Sequence, residues 1–355
     1  MSSLFAPLTL RGTTLRNRLW VAPMCQYSAV EGVPNDWHHV HLAQFATGGA
    51  GLVIAEATAV SPEARISPAD VGLWNDAQQQ AWAPIVESVH ARGAAVGVQL
   101  AHAGRKASTW PPFAPQRGTV PPADGGWEPV APSSIAFEGL VDPRELTIAE
   151  IDGIVDDFAA AAVRAVAIGF DVLEIHAAHG YLLHEFLSPL ANTRTDAYGG
   201  SLENRARLVL RVVEAVRRAA PDTVVFVRFS GTDWAPGGLE VAEVVEVARW
   251  SAERGADLFD VSSGGLVAHQ QIPVGPGYQV PLARALRDAG LPAAAVGLIT
   301  NGPQAESILT AGDADAILAA REWLRDPHFG LRVATEIGAD VPWPPQYERA
   351  RRRTH

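Results

Sequence analysis

Two histidines three residues apart, His176 and His179, followed at once by Gly180 and Tyr181, are the densest run of reactive side chains in this sequence. Such a group can ligate a metal, hold a substrate oxygen, move a proton or pack in a core. Zinc would need a third protein ligand nearby, and His102 and His184 are available. Paired imidazole N–H donors on a substrate oxygen, with the Tyr181 phenol giving up a proton, suit these residue types better. Idle burial of all three would be costly. The choice turns on whether the pair lies within a helix or at the end of a strand.

Short apolar, β-branched runs recur along the chain: residues 19–24, 51–57, 94–100, 171–176, 224–229, 258–262, 294–299 and 315–320. They are continuously apolar rather than alternating, as parallel strands covered on both faces are. Amphipathic segments at residues 76–92, 147–168, 202–219 and 240–254 lie between them. Thr147 stands three residues before Glu150, a capping-box start, and Gly255 lies where the preceding helix would stop. Eight strand–helix pairs predict one (β/α)₈ barrel over residues 1–355. An open doubly wound sheet is the alternative, but no strand is followed by GxGxxG or a Walker A motif. Residues 103–144, rich in Pro, Gly and Trp, form a long loop after the third strand, and residues 341–355 a proline-rich tail.

Barrel chemistry sits at the C-terminal ends of the strands. Those ends carry Pro23 to Tyr27, Glu56 and Ala57, Gln99 to His102, His176 to Tyr181, Arg228, Ser262 to Gly265, Gly297, and Ala320 with Arg321. His176 therefore closes the fourth strand, on a strand-to-loop exit. Arg321, with the loop after the seventh strand and a helix starting near Pro303, suggests a phosphate site.

Bulk composition narrows the classes. A formal net charge of -11, with basic density only in the tail run RARRRTH, argues against nucleic acid or anionic membrane as partner. The single cysteine, Cys25, excludes an intrachain disulfide and any cysteine-bound cluster. The opening MSSLFAPLTLRG lacks the basic-then-apolar order of a signal peptide, which predicts a cytoplasmic protein.

The stretches LFAPLTLRGTTLRNRLWVAPMCQYS, GVQLAHAGRKA, EIHAAHGYLLHEFLSPLANTRTDAYGGSLENR and ITNG followed by AREWLRDP resemble the Old Yellow Enzyme family. The likeness is to the bacterial thermophilic-like branch of these FMN-dependent ene-reductases, which includes xenobiotic reductases, and runs nearly end to end. It implies non-covalent FMN reduced by NADPH or NADH, and hydride transfer to an activated alkene such as an enone, maleimide or nitroalkene. It further implies that Ala22, Pro23, Met24 and Cys25 line the flavin, with Ala57 leaving room for the ring. Gln99 and Arg228 then meet the pyrimidine edge, while Gly297, Ala320 and Arg321 take the phosphate. Cys25 tunes redox potential in this reading, His176 and His179 hold the substrate oxygen, Tyr181 protonates carbon, and Tyr27 assists binding. In this branch a tail arginine, here Arg349, enters the neighbouring subunit's site, which implies a homodimer or homotetramer. Ala320 departs from the family's usual glycine. A metal-dependent barrel hydrolase and a flavin-binding protein without turnover are the competing readings.

Overall fold

The computed structural model describes residues 2–351; of the basic tail run, residues 352–355 lie outside them. Eight parallel strands close into a barrel: β1 (Leu19–Val21), β2 (Leu52–Ala59), β3 (Ala95–Ala101), β4 (Val172–Ala177), β5 (Val224–Ser230), β6 (Leu258–Ser262), β7 (Ala293–Ala295) and β8 (Ala316–Ala319). Each pairs with its neighbours in sequence order, and β8 closes the ring onto β1. Around it run α1 (Asp36–Thr47), α2 (Asp76–His90), α3 (Ile148–Ala167), α4 (Leu202–Ala219), α5 (Val241–Glu253), α6 (Val280–Asp288), α7 (Gly302–Thr310) and α8 (Phe329–Glu336).

The helix signals act as the sequence indicates. The Thr147 hydroxyl accepts the Glu150 backbone N–H while the Glu150 carboxylate accepts that of Thr147, so both ends of the capping box are made. Gly255, at φ 105°, takes the left-handed turn that releases the chain after α5.

Most strand boundaries lie within a residue of the apolar runs, and three differ by more. β1 stops at Val21 instead of continuing through Met24, because Pro23 has no N–H for the ladder. β7 ends at Ala295, since Gly297 and Leu298 adopt φ of 114° and 51°, which no strand allows. β2 runs on to Ala59, past a bulge between Ala55 and Ala57. That extra residue is Glu56, and its insertion lets Ala57 face the mouth cluster.

Inside the barrel the side chains are graded along the axis. The floor is apolar: Trp20, Leu52, Ile54, Val172, Phe226, Leu258 and Leu318 pack together, with Trp20 and Phe226 stacked at 5.6 Å. A hairpin of Leu8–Leu10 and Thr13–Leu15 brings Leu8, Leu10 and Leu15 onto that floor and stops the lower end. Each such fully buried side chain contributes about 1.5–3 kcal/mol. Above the floor lies a charged layer of Glu174, Arg228 and Asp260 with Gln99, and above that the mouth.

The long loop is structured, with 3-10 turns at Gly104–Lys106 and Pro122–Asp124 and a short parallel pair, Val130–Ala131 with Arg144–Glu145. The tail crosses the stopped end. Residues 340–347 border a groove of about 880 Å³ with Arg16, Asn17, Thr47 and Arg92, all of which precede barrel strands. No described helix is long and apolar enough to cross a membrane.

Candidate active site

The mouth is built from loops leaving the strands, several of them strained. Tyr27, His179, Trp234 and Leu298 follow β1, β4, β5 and β7 with φ of 50°, 59°, 53° and 51°. Left-handed non-glycine residues cost of order 1–3 kcal/mol and persist where surroundings over-determine them. At His179 the surroundings are explicit. Its N–H donates to Ser230 Oγ at 2.9 Å and its carbonyl accepts from Lys106 Nζ at 2.8 Å. The next residue must be glycine, because a Cβ at Gly180 would lie 2.3 Å from the Gly265 carbonyl oxygen.

His176, His179 and Tyr181 converge. The two imidazole centroids lie 5.2 Å apart, edge to face, and the Tyr181 ring lies 5.0 Å from His176. His176 Nδ1 accepts the Ala178 N–H at 3.3 Å, which leaves the proton on Nε2 as a donor. His179 Nε2 shares a hydrogen bond with Ser262 Oγ at 2.7 Å. Burial first, then the Arg228 charge, drives both imidazoles well below their usual range, so both are neutral at neutral pH. Burial likewise pushes the Tyr181 phenol up and keeps it protonated. The group offers the His176 N–H, a second neutral imidazole and a phenol that has a proton to give.

His102 and His184 do not complete a metal site. His102 Nδ1 accepts the Gly104 N–H, and His184 Nδ1 accepts that of Gly180. His184 Nε2 lies 2.8 Å from the buried Asp233, so this histidine braces the loop. Among the described residues no three metal-ligating side chains converge.

Across Tyr181 from the histidines, Cys25 and Tyr27 pack with Ala57, Ala101 and Trp127. Burial, followed by the nearby Asp70 and Glu56 carboxyls, raises the Cys25 thiol well above its usual range. Glu56 Oε2 accepts the Gln26 N–H at 2.8 Å and so fixes the strand-to-loop exit that carries both residues. Phe113 of the long loop is exposed and meets the Tyr27 ring edge-on at 6.2 Å.

Deeper in, Gln99 is not free at both ends, since its Nε2 donates to Glu174 Oε1 at 2.7 Å. Its carbonyl oxygen remains for a donor in the mouth. Arg228 is buried, with Nε 3.0 Å from Asp260 Oδ2 but not aligned for a hydrogen bond.

Gly297, Ala320 and Arg321, expected at the phosphate, line a separate cleft of about 170 Å³ together with Leu298 and Arg325. Arg321 is exposed and makes no ion pair among the described residues. The helix that opens at this cleft is the short one of Arg321–Arg325, which has no side-chain cap. α7, placed there by the sequence, has its first turn occupied: Asn301 accepts the Gln304 N–H and Glu336 that of Gly302. Ala320, at φ −114°, sits where alanine needs no left-handed conformation. The uncapped helix start and the unpaired Arg321 guanidinium at this cleft, with the buried Arg228 on β5 whose Nε has no hydrogen-bond partner among the described residues, fit a phosphate-tailed, electron-accepting ring such as FMN.

Arg349 is elsewhere. It lies exposed on the 3-10 turn Pro345–Ala350, beyond the stretch that borders the stopped end, away from its own chain's mouth.

Sequence reasoning missed Lys106, Glu174 and Asp260. The two carboxylates left a signal, each being a lone acid inside an apolar strand run, in DVLEIH and LFDVS. Lys106 left none beyond its place in GRKA.

Residues 3–340 match the NADH:flavin oxidoreductase / NADH oxidase family model. The chain is 46% identical over 351 residues to an NADPH dehydrogenase of Bacillus velezensis, covering 98% of both chains. It is 47% identical over 354 residues to an NADPH dehydrogenase of Listeria monocytogenes serotype 4b, covering 99% of each. Among solved structures, morphinone reductase in complex with tetrahydroNAD aligns with a TM-score of 0.79 at 31% identity, over 97% of this chain and 93% of that one.

Proposed function

The chain belongs to the NADH:flavin oxidoreductase / NADH oxidase family, the Old Yellow Enzyme family, and from that premise we propose that it reduces activated alkenes. It is an NAD(P)H-dependent flavin oxidoreductase with FMN as its cofactor. The ene-reductase reading rests on one observation: His176, His179 and Tyr181 meet at the mouth in the protonation states that reduction of a polarised double bond needs.

When bound, FMN takes two electrons from NAD(P)H and passes them to the alkene. The residues of the chain do the rest. His176 and His179 hold the carbonyl or nitro oxygen and meet the charge that builds on it; one aimed donor is worth roughly 10²–10³ in rate. Tyr181 gives its proton to the α-carbon and recovers one from solvent. Arg228 offsets charge at the pyrimidine edge, and the Gln99 carbonyl accepts from the ring's N–H. Ala22, Pro23, Met24 and Cys25 line the ring, and Ala57 leaves space for it. Arg321, with the backbone at Gly297 and Ala320, holds the phosphate. Tyr27 helps seat the substrate, and Arg349 serves the mouth of a neighbouring copy in a homodimer or homotetramer. A reducing cytoplasm suits the lone thiol.

Anaerobic stopped-flow spectra of the reduced protein mixed with enones, maleimides and nitroalkenes test this reading. Reoxidation of the flavin with formation of the saturated product is the expected result. Flavin that stays reduced with every alkene, while oxygen or quinones oxidise it, would overturn it.

A further inference from the structure

The charged layer between floor and mouth is unbalanced. Arg228 stands opposite Asp260 in the β5–β6 register, and Glu174 comes from β4. Glu174 and Asp260 are fully buried, and Arg228 nearly so. Glu174 Oε1 accepts from Gln99, but Glu174 Oε2, both Asp260 oxygens and Arg228 Nε have no hydrogen-bond partner.

Among the described residues no second cation faces this layer. β7 and the residue after it, β8, β1 and β2 contribute Ala294, Val296, Ala316, Leu318, Trp20, Leu52 and Ile54. Toward the mouth the next titratable groups are His176 and His179, both held neutral. Two carboxylates against one guanidinium would leave a net negative charge in an apolar barrel, and buried groups protonate rather than bear that. Burial raises both carboxyls, Asp260 raises Glu174 further, and Arg228 pulls the other way without winning.

We propose that Glu174 and Asp260 hold one proton between them beside Arg228, and hold it more tightly while the bound cofactor carries electrons. They are positioning residues for the charge balance of the flavin, acting through Arg228. The inference rests on the reading that Arg228 faces the ring. Two electrons and one proton reduce FMN to a form with one negative charge. At alkaline pH, where the pair would otherwise be proton-free, one further proton enters it from solvent. That proton leaves when the electrons pass to the acceptor. NAD(P)H supplies the electrons and no other reactant is needed.

The test is the midpoint potential of FMN in the holoenzyme, titrated from about pH 6 to about pH 10, for the wild type, Glu174→Gln and Asp260→Asn. Glu174→Gln keeps an acceptor for Gln99 and the same volume. The wild type should show a segment above neutral pH in which two protons accompany two electrons, and Glu174→Gln one proton throughout that segment. One proton throughout in the wild type, or the same two-proton segment in both variants, overturns the proposal. Reduced-minus-oxidised infrared spectra of the wild type read the same event without any variant. A gain in protonated-carboxyl absorption at alkaline pH supports it, and no gain overturns it. Arg228→Met separates the two ideas. Unchanged FMN affinity and potential there would sink the placement of Arg228 at the ring, whereas a large shift with a one-proton wild type would sink only the shared proton.

Discussion

His176 and Tyr181 meet edge to face, with centroids 5.0 Å apart and ring planes at 74°. The two side chains come from a strand end and from the turn it feeds, yet share one patch of the mouth. An oxygen held at the imidazole therefore brings its neighbouring carbons within the phenol's surroundings.

Tyr181→Phe keeps that edge-to-face contact and removes only the hydroxyl. Reoxidation by an enone should fall by roughly 10²-fold or more, the usual weight of a positioned acid. Reoxidation by a quinone, which needs no carbon protonation, should change little. Equal slowing of both, read by anaerobic stopped flow, would argue against the proton-donor role.

Replacing His176 and His179 together by alanine should leave FMN bound and lower enone turnover by roughly 10²–10³-fold. Because both imidazoles are already neutral, the wild-type rate should not fall as pH drops through about 6.5, the ordinary histidine range. A loss of activity titrating there in the wild type and absent in the double variant would contradict neutral donors.

Cys25 should be a poor nucleophile. With its thiol raised by burial and by the Asp70 and Glu56 carboxyls, little thiolate exists at neutral pH. Alkylation by iodoacetamide in the native protein should be at least about tenfold slower than for a free thiol. One equivalent per chain should react after unfolding, since the chain has one cysteine.

Stability should decline between about pH 6.5 and about pH 8. Glu56 and Glu185 are each raised to about 8 by burial, so the folded state binds more protons than the unfolded one until pH passes 8. Their stabilisation is therefore present at low pH and lost as pH rises. His38, His41 and His102, lowered to about 4 by burial, act in the opposite direction, but only below the unfolded value near 6.5. Melting temperatures across this window check the sign. Glu56→Gln should make the decline shallower, and an unchanged slope would remove Glu56 from the account.

Arg349→Ala should weaken substrate turnover without altering FMN affinity or the flavin spectrum. Mixing it with Tyr181→Phe should restore some activity, because hybrid assemblies contain one intact mouth. No restoration in verified hybrids would place Arg349 outside the neighbouring site.

The barrel was legible because its strands are buried on both faces, so β4 and β5 stand out from the helices around them as mostly apolar runs, each interrupted only by side chains of the charged layer and the mouth. The His176–Tyr181 cluster could be placed at a strand end from spacing alone. Strand lengths were less legible. The stop after Val21 and the turn at Gly297 follow from backbone geometry that hydropathy does not encode. Nor could the sequence tell that α7 would spend its free N–H groups on Asn301 and Glu336, leaving the short helix at Arg321 to open at the cleft. Those partners come from positions 34 residues apart and from local capping, and neither has a pattern of its own.

The hairpin that packs Leu8, Leu10 and Leu15 against the floor has a kinetic corollary. With the lower end stopped, traffic has a single doorway. If, as proposed, the acceptor is an alkene held at His176 and His179, it competes with pyridine nucleotide for the same place at that doorway, and the two are expected to take turns. Initial-rate plots at several fixed alkene concentrations should accordingly give parallel lines.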